Sequence, residues 1–213
     1  MKKEIADIRR DYELESLNKE DVSADAFAQF AKWWQEALNS GIDEVNAMTL
    51  ATATPDGKPS ARIVLLKDYD EKGFVFFSNY RSHKGQELEA NPHAALIFFW
   101  KELERQIRIE GTVEKVSAEE SDDYFYSRPT GSQIGAWASP QSKIIESRDL
   151  LEQNIKLYSA QFAAEIPRPA HWGGYRVIPS MIEFWQGRSS RLHDRIQYRR
   201  ENSDNWIIER LAP

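Results

Sequence analysis

Apolar and polar residues alternate along this chain with two different periods. Between Asp25 and Asn39 the apolar positions Phe27, Phe30, Trp33, Trp34, Ala37 and Leu38 recur every three or four residues, which predicts an amphipathic helix. Asp25 or Ser23 can cap its start, and Gly41 can end it. The period then shortens to two. Ala47 to Thr54, Ser60 to Lys67 and Gly73 to Ser78 read as strands, joined by the turn formers Pro55-Asp56-Gly57-Lys58 and Asp70-Glu71-Lys72-Gly73. A short helix from Ser82 to Ala90 stops at Asn91-Pro92. A second hairpin pairs Ala94 to Trp100 with Glu104 to Val116.

Ser117-Ala-Glu-Glu120 is a capping box that opens a helix to about Ser127, stopped by Pro129. Gln133 to Gln141 reads as a loop ending at Ser142, and residues 147–164 as an amphipathic helix. Strands follow from Trp172 to about Val177, from Met181 to Gln186, and from Trp206 to Arg210. The stretch from Trp185 to Arg195 begins as a turn at Gly187 and Ser189-Ser190. It continues as a strand to about Arg199, on which Arg191, His193 and Arg195 share one face. About eight strands, mostly arriving as hairpins with helices between pairs, predict a mainly β (α+β) fold: an antiparallel barrel with peripheral helices, in a single domain over 1–213 with residues 1–20 as a mobile arm.

Composition narrows the function. With 7 Trp, 8 Tyr and 10 Phe in 213 residues, the chain can build a sizeable core. The absence of cysteine excludes disulfides, thiolate metal sites and a cysteine nucleophile. A net charge of -6 argues against general nucleic-acid binding, so any bound anion needs a local cationic cluster. The N-terminus lacks a signal-peptide core and no run is long enough to span a membrane, which predicts a cytoplasmic protein. The four histidines lack metal-ligand spacing, and there is no dinucleotide fingerprint, phosphate loop or nucleophile elbow. An enzyme of this composition takes its chemistry from an organic cofactor.

Three cationic groupings remain. Arg81, His83 and Lys84 lie at a predicted helix N-terminus, where free amides and the helix dipole favour an anion. Tyr124 and Arg128 share a helix face with Ser132 nearby, a set suited to a phosphate monoester. Arg62 and Lys67 bracket four aliphatics. Their odd spacing puts them on opposite sides of a sheet, or at its rim.

Taken jointly, Arg9-Arg-Asp-Tyr12, Arg62-Ile-Val-Leu-Leu-Lys67, Glu104-Arg-Gln-Ile-Arg108, Tyr124-Phe-Tyr-Ser-Arg-Pro129, Ser132-Gln-Ile-Gly-Ala-Trp137, Gln141-Ser142, Phe184-Trp-Gln-Gly187, Arg191-Leu-His-Asp-Arg195 and Arg210-Leu-Ala-Pro213 resemble the pyridoxine/pyridoxamine 5'-phosphate oxidases, over nearly the whole chain. The resemblance implies an FMN-binding split β-barrel acting as a homodimer, with FMN between subunits and residues 172–213 as C-terminal dimerisation and active-site strands. It implies oxidation of pyridoxine 5'-phosphate or pyridoxamine 5'-phosphate at C4' by hydride transfer to the flavin, with O2 reoxidising the flavin to give H2O2. It places FMN against Arg62, Ile63, Val64, Leu65, Leu66, Lys67, Phe77, Ser78, His83, Lys84, Gln106, Gln141, Ser142, Trp185 and Arg195. It places substrate against Arg9, Tyr12, Lys67, Tyr124, Arg128, Ser132, Arg191 and His193, the last two at the reacting ring. His83 departs from the family's usual arginine and cannot make its bidentate fork, which implies either compensation by Arg81 or, as the preferred reading, weaker FMN binding. A split-barrel flavoprotein with another substrate and a non-catalytic FMN or pyridoxal phosphate carrier are the competing readings.

Overall fold

The computed structural model describes residues 5, 7, 8, 11–162, 164–202 and 205–213. The chain forms two compact units. One is built from residues up to Leu50 with Ala95–Gly111 and Pro179–Pro213; the other comprises Ala51–Ala94 and Thr112–Ile178.

Among the described residues, nine strands form one sheet: β1 (Ala47–Ala53), β2 (Pro59–Leu65), β3 (Asp68–Asp70), β4 (Gly73–Asn79), β5 (His93–Trp100), β6 (Arg105–Lys115), β7 (Trp172–Gln186), β8 (Asp194–Arg200) and β9 (Trp206–Leu211). The order is β2-β1-β5-β6-β7-β4-β3, with β8 pairing with β7 and β9 with β8. The pairs β3–β4, β4–β7, β7–β8 and β8–β9 are antiparallel. The hairpin turn between β1 and β2 places Gly57 at φ 86°, as its Asp-Gly sequence predicts.

In the first unit, α1 (Ala26–Asn39) starts at Asp25, whose carboxylate accepts the Ala28 N–H. Such a cap contributes about 1 kcal/mol. The apolar stripe of α1 packs its rings on the sheet. Phe30 lies 5.6 Å from Phe98, and Trp33 lies edge-on to Phe184 at 5.2 Å. Phe184 meets Tyr198 of β8 at 5.4 Å, and all five rings are buried. Their spacings suit edge-to-face aromatic contacts, which add to simple burial.

The second unit carries α2 (His83–Ala90), α3 (Ala118–Ser127), α4 (Thr130–Ala138) and α5 (Asp149–Gln161). Ser117 caps α3 by accepting the Glu120 N–H, as the capping box predicts. Phe125, Ile134, Ala136, Ile166 and Trp172 form the core between these helices and their strands.

Three expectations are corrected. The stretch 133–141 is mostly helix, not loop: Pro129 sets the start of α4, and burial of Ile134, Ala136 and Ala138 outweighs the poor helix propensity of Gly131 and Gly135. The two strands foreseen around Pro179 are one 15-residue strand, β7. The strand foreseen through Arg191 to Arg199 begins only at Asp194, because residues 189–191 form a 3-10 turn in which Ser190 (φ 55°) and Arg191 (φ 61°) are left-handed. Among the described residues, no helix is long and apolar enough to cross a membrane.

Candidate active site

The second unit contains a cavity of about 330 Å³ whose lining includes Arg62, Ile63, Val64, Leu65, Lys67, Phe77, Ser78, Lys84, Tyr124, Arg128, Gln141 and Trp172. Among the described residues, four cations therefore face one space with no carboxylate in its lining. Arg62 and Lys67 reach the same cavity because β2 ends at Leu65, so strand alternation stops before Lys67, whose N–H bonds the Val75 carbonyl. Of the two placements their spacing allowed, opposite sides or the rim, the structure has Lys67 at the rim. The Leu66 side chain instead turns into the core at 4% exposure and is not among the cavity's lining residues.

Arg62 is held by a buried network. It donates to Thr52 Oγ1 at 2.5 Å and lies 3.4 Å from Glu87, while Thr52 and Ser60 donate to the same Glu87 oxygen at 2.5 and 2.6 Å. These hydroxyls, with the nearby His83 and Arg62 charges, outweigh the cost of burial and hold the Glu87 carboxyl below its ordinary pKa. His83 takes the other oxygen of Glu87, Nε2 to Oε1 at 3.1 Å, and is not among the cavity's lining residues.

Lys84 stands in the first turn of α2, beside the Ser82 cap. The turn is tight: a Cβ on Gly85 would lie 2.2 Å from the Tyr80 carbonyl oxygen, so only glycine fits there. The Lys84 ammonium donates to Gln141 Oε1 at 3.2 Å and Ser78 Oγ at 3.3 Å. Burial, and then repulsion from Arg62, push its pKa down. Two cations crowded at a helix N-terminus are arranged to receive an anion.

At the same cavity Phe77, Tyr124 and Trp172 form an aromatic stack, with Phe77 4.0 Å from Tyr124 and 5.5 Å from Trp172. The Arg128 guanidinium lies 4.5 Å above Trp172, and Lys67 Nζ lies 5.8 Å from the Tyr124 ring. Arg128 Nη1 is buried and has no hydrogen-bond partner among the described residues. A buried donor left unbonded costs about 1–3 kcal/mol, more when charged, so this one marks a place for an acceptor. Ser132 lines an adjoining cavity of about 200 Å³ together with Arg128 and Gln141. Ser142 is exposed and left-handed (φ 68°).

The first unit carries the remaining residues. Tyr12, Arg191 and His193, with Asp11, Lys101 and Arg188, line a cavity of about 930 Å³. His193 packs 4.6 Å from Trp185, and Tyr12 lies edge-on to Trp185 at 5.8 Å. The Tyr12 segment is tied down on its C-terminal side. Glu104 accepts the N–H groups of Glu13 and Leu14, and Asp194 accepts that of Leu17. Gly187 makes room for Tyr12, since a Cβ there would lie 2.7 Å from its ring.

Arg195, opposite Trp185 in the β7–β8 register, forks onto buried Glu183 at 2.7 and 3.1 Å. Arg108 shares that carboxylate at 2.8 Å. Asp194 pairs with Arg210 at 2.7 Å. Gln106 is half-buried on β6. Arg9 lies outside the described residues.

Sequence reasoning missed Glu87, Glu183 and Trp172. Glu183 could have been found by period-two counting, since it stands two residues before Trp185 on a strand and is a carboxylate in an otherwise apolar run. Glu87 and Trp172 become visible only when distant segments pack.

Residues 34–162 match the family model described as pyridoxamine 5'-phosphate oxidase, and residues 172–213 match the pyridoxine 5'-phosphate oxidase C-terminal dimerisation region. The chain is 61% identical to the pyridoxine/pyridoxamine 5'-phosphate oxidase of Trichormus variabilis, over 100% of both chains. It is 60% identical to that of Paraburkholderia phymatum, over 98% of this chain and 99% of the relative. The crystal structure of PhzG from Burkholderia lata, in complex with tetrahydrophenazine-1-carboxylic acid, superposes with a TM-score of 0.87 at 30% identity, covering 94% of this chain and 99% of that one. An FMN-binding, pyridoxamine 5'-phosphate oxidase-related protein of Nostoc punctiforme shares the fold, with a TM-score of 0.70 at 16% identity over 90% of this chain and all of that one.

The fold is thus the antiparallel split β-barrel, and the cofactor is FMN. The residues present fit it: Arg62 and Lys84 at a helix start suit a phosphate, and the aliphatics Ile63 to Leu65 with Phe77 offer an apolar wall for a flat ring. With family models covering most of its length and full-length relatives at about three-fifths identity, the chain belongs to the pyridoxine/pyridoxamine 5'-phosphate oxidase family.

Proposed function

We propose that this oxidase converts pyridoxine 5'-phosphate and pyridoxamine 5'-phosphate to pyridoxal 5'-phosphate, with O2 as the final electron acceptor and H2O2 as its product. The observation that carries this reading is Arg128, whose Nη1 is buried and unbonded among the described residues and which lines one cavity with Lys67 and Tyr124, a set of donors suited to a phosphate monoester. Arg62 and Lys84 form a separate cation pair for the FMN phosphate. Two phosphates, one on the cofactor and one on the substrate, account for two pairs.

Bound FMN supplies the acceptor for a hydride from C4'. The side chains supply positioning. Lys67, Tyr124, Arg128 and Ser132 hold the substrate phosphate, remote from the reacting carbon, so that binding energy fixes orientation. Arg191 and His193 face the substrate ring, and Tyr12 closes over it. Gln106, Gln141, Ser142, Trp185 and Arg195 complete the flavin site. In this reading the protein is a homodimer with FMN between subunits, which the match of residues 172–213 to a dimerisation region supports. The resemblance to PhzG favours a second reading, a substrate without phosphate. The cationic cavity around Arg128 weighs against it.

The test is direct. The purified protein is expected to be yellow, and adding pyridoxine 5'-phosphate under air is expected to yield pyridoxal 5'-phosphate and peroxide together. Yellow protein that leaves the phosphorylated substrates untouched, or accepts their dephosphorylated forms equally well, overturns the assignment.

A further inference from the structure

The turn after β7 closes on itself. The Leu192 N–H bonds the Ser189 carbonyl at 3.1 Å, and left-handed Ser190 and Arg191 bring the chain back. As a result the backbone N–H of Arg188 points at the imidazole of His193 and meets Nδ1 at 3.0 Å. The ring makes no other hydrogen bond among the described residues; Trp185 and Tyr12 contact it only as aromatic neighbours.

A backbone N–H can only donate. The atom it meets must offer a lone pair, and a neutral imidazole has one N–H and one lone pair. With Nδ1 accepting, the proton resides on Nε2. Adding a second proton would set two N–H groups against each other and leave both unbonded. Burial and the neighbouring Arg191 charge also hold the His193 pKa below its ordinary value, in the same direction.

We infer that His193 is fixed as the neutral tautomer carrying its proton on Nε2, and that it meets the substrate as a hydrogen-bond donor to an oxygen rather than as the base that removes a proton. Arg188 is then a positioning residue that acts through its backbone. The donor role rests on the reading that His193 faces the substrate; the tautomer does not.

Two measurements test it. The nitrogen-15 spectrum of the flavin-loaded protein, with the His193 signals assigned from their loss in His193→Gln among the four histidines, is expected to show a pyridine-like Nδ1 and a protonated Nε2 at neutral pH. A protonated Nδ1, or an imidazolium, overturns the tautomer. The second measurement compares two amides that cannot act as bases. The longer side chain of His193→Gln places an N–H near the position of Nε2, whereas His193→Asn places its amide at that of Nδ1. Turnover of pyridoxine 5'-phosphate is expected to stay within about tenfold of native in His193→Gln and to fall by about 100-fold in His193→Asn. Losing a base costs about 100-fold or more, so equal losses of that size in both variants overturn the donor role. Native protein that does not oxidise pyridoxine 5'-phosphate defeats the oxidase reading instead, and the nitrogen spectrum still decides the tautomer.

Discussion

Arg128 concentrates the case for a phosphate at the scale of one side chain. Its guanidinium is stacked on Trp172, buried at Nη1, and unbonded there among the described residues. Replacing it with methionine keeps the stacked volume and removes the donors. Loss of a charge-assisted contact of about 2–3 kcal/mol predicts a KM for pyridoxine 5'-phosphate raised by about 100-fold, with FMN retained and the melting temperature maintained or raised. Steady-state kinetics beside flavin absorbance checks this; an unchanged KM refutes it. Gly187→Ala is a second case. The added methyl would sit 2.7 Å from Tyr12, so the tyrosine must move, and KM is expected to rise while flavin binding stays native. Single residues were the most legible scale in the sequence. Arg62, Lys67, Tyr124 and Arg128 were each marked, but strand alternation could not put Arg62 and Lys67 in one cavity, because the strand ends between them.

At the scale of elements, β6, β7 and β8 share a charged triad around one buried carboxylate. Glu183 is 3% exposed and serves both Arg195 and Arg108. Glu183→Gln removes the counter-charge of Arg195 and leaves Arg108 with Glu110 at 3.6 Å. Since both arginines are partly exposed, the cost is expected to be about 2 kcal/mol rather than the full value for a buried pair. A lower urea midpoint measures it. If Arg195 contacts the flavin, FMN dissociation should also rise by about tenfold. An unchanged dissociation constant would mean that Arg195 is positioned without Glu183. Hairpins and capped helices were readable because Asp-Gly turns and the Ser117 box act locally. The turn at Ser189-Ser190 was readable as well, but its extension through left-handed Arg191, which delays β8 to Asp194, was not, since an arginine does not announce that conformation.

At the scale of the whole molecule, if Lys84 holds the FMN phosphate as proposed, cofactor binding and protonation are linked through it. Its pKa lies below the ordinary lysine value in the absence of an anion, through burial and Arg62. A bound phosphate favours the charged form and raises that pKa. FMN affinity is therefore fully present below the lowered pKa and falls as pH rises through it, before an ordinary lysine would titrate. Fluorescence titration of FMN across the alkaline range should show this fall. Lys84→Arg, which stays charged, should abolish it.

The cavity that, among the described residues, gathers four cations without a carboxylate also governs how the protein behaves in a cuvette. Folded chains that bind an anion, while unfolded ones do not, melt at temperatures set by the concentration of that anion. Inorganic phosphate at about 100 times its dissociation constant would add about 2.7 kcal/mol to unfolding. The measured robustness of this enzyme is then partly a property of the buffer, and a thermal melt becomes a titration of the site.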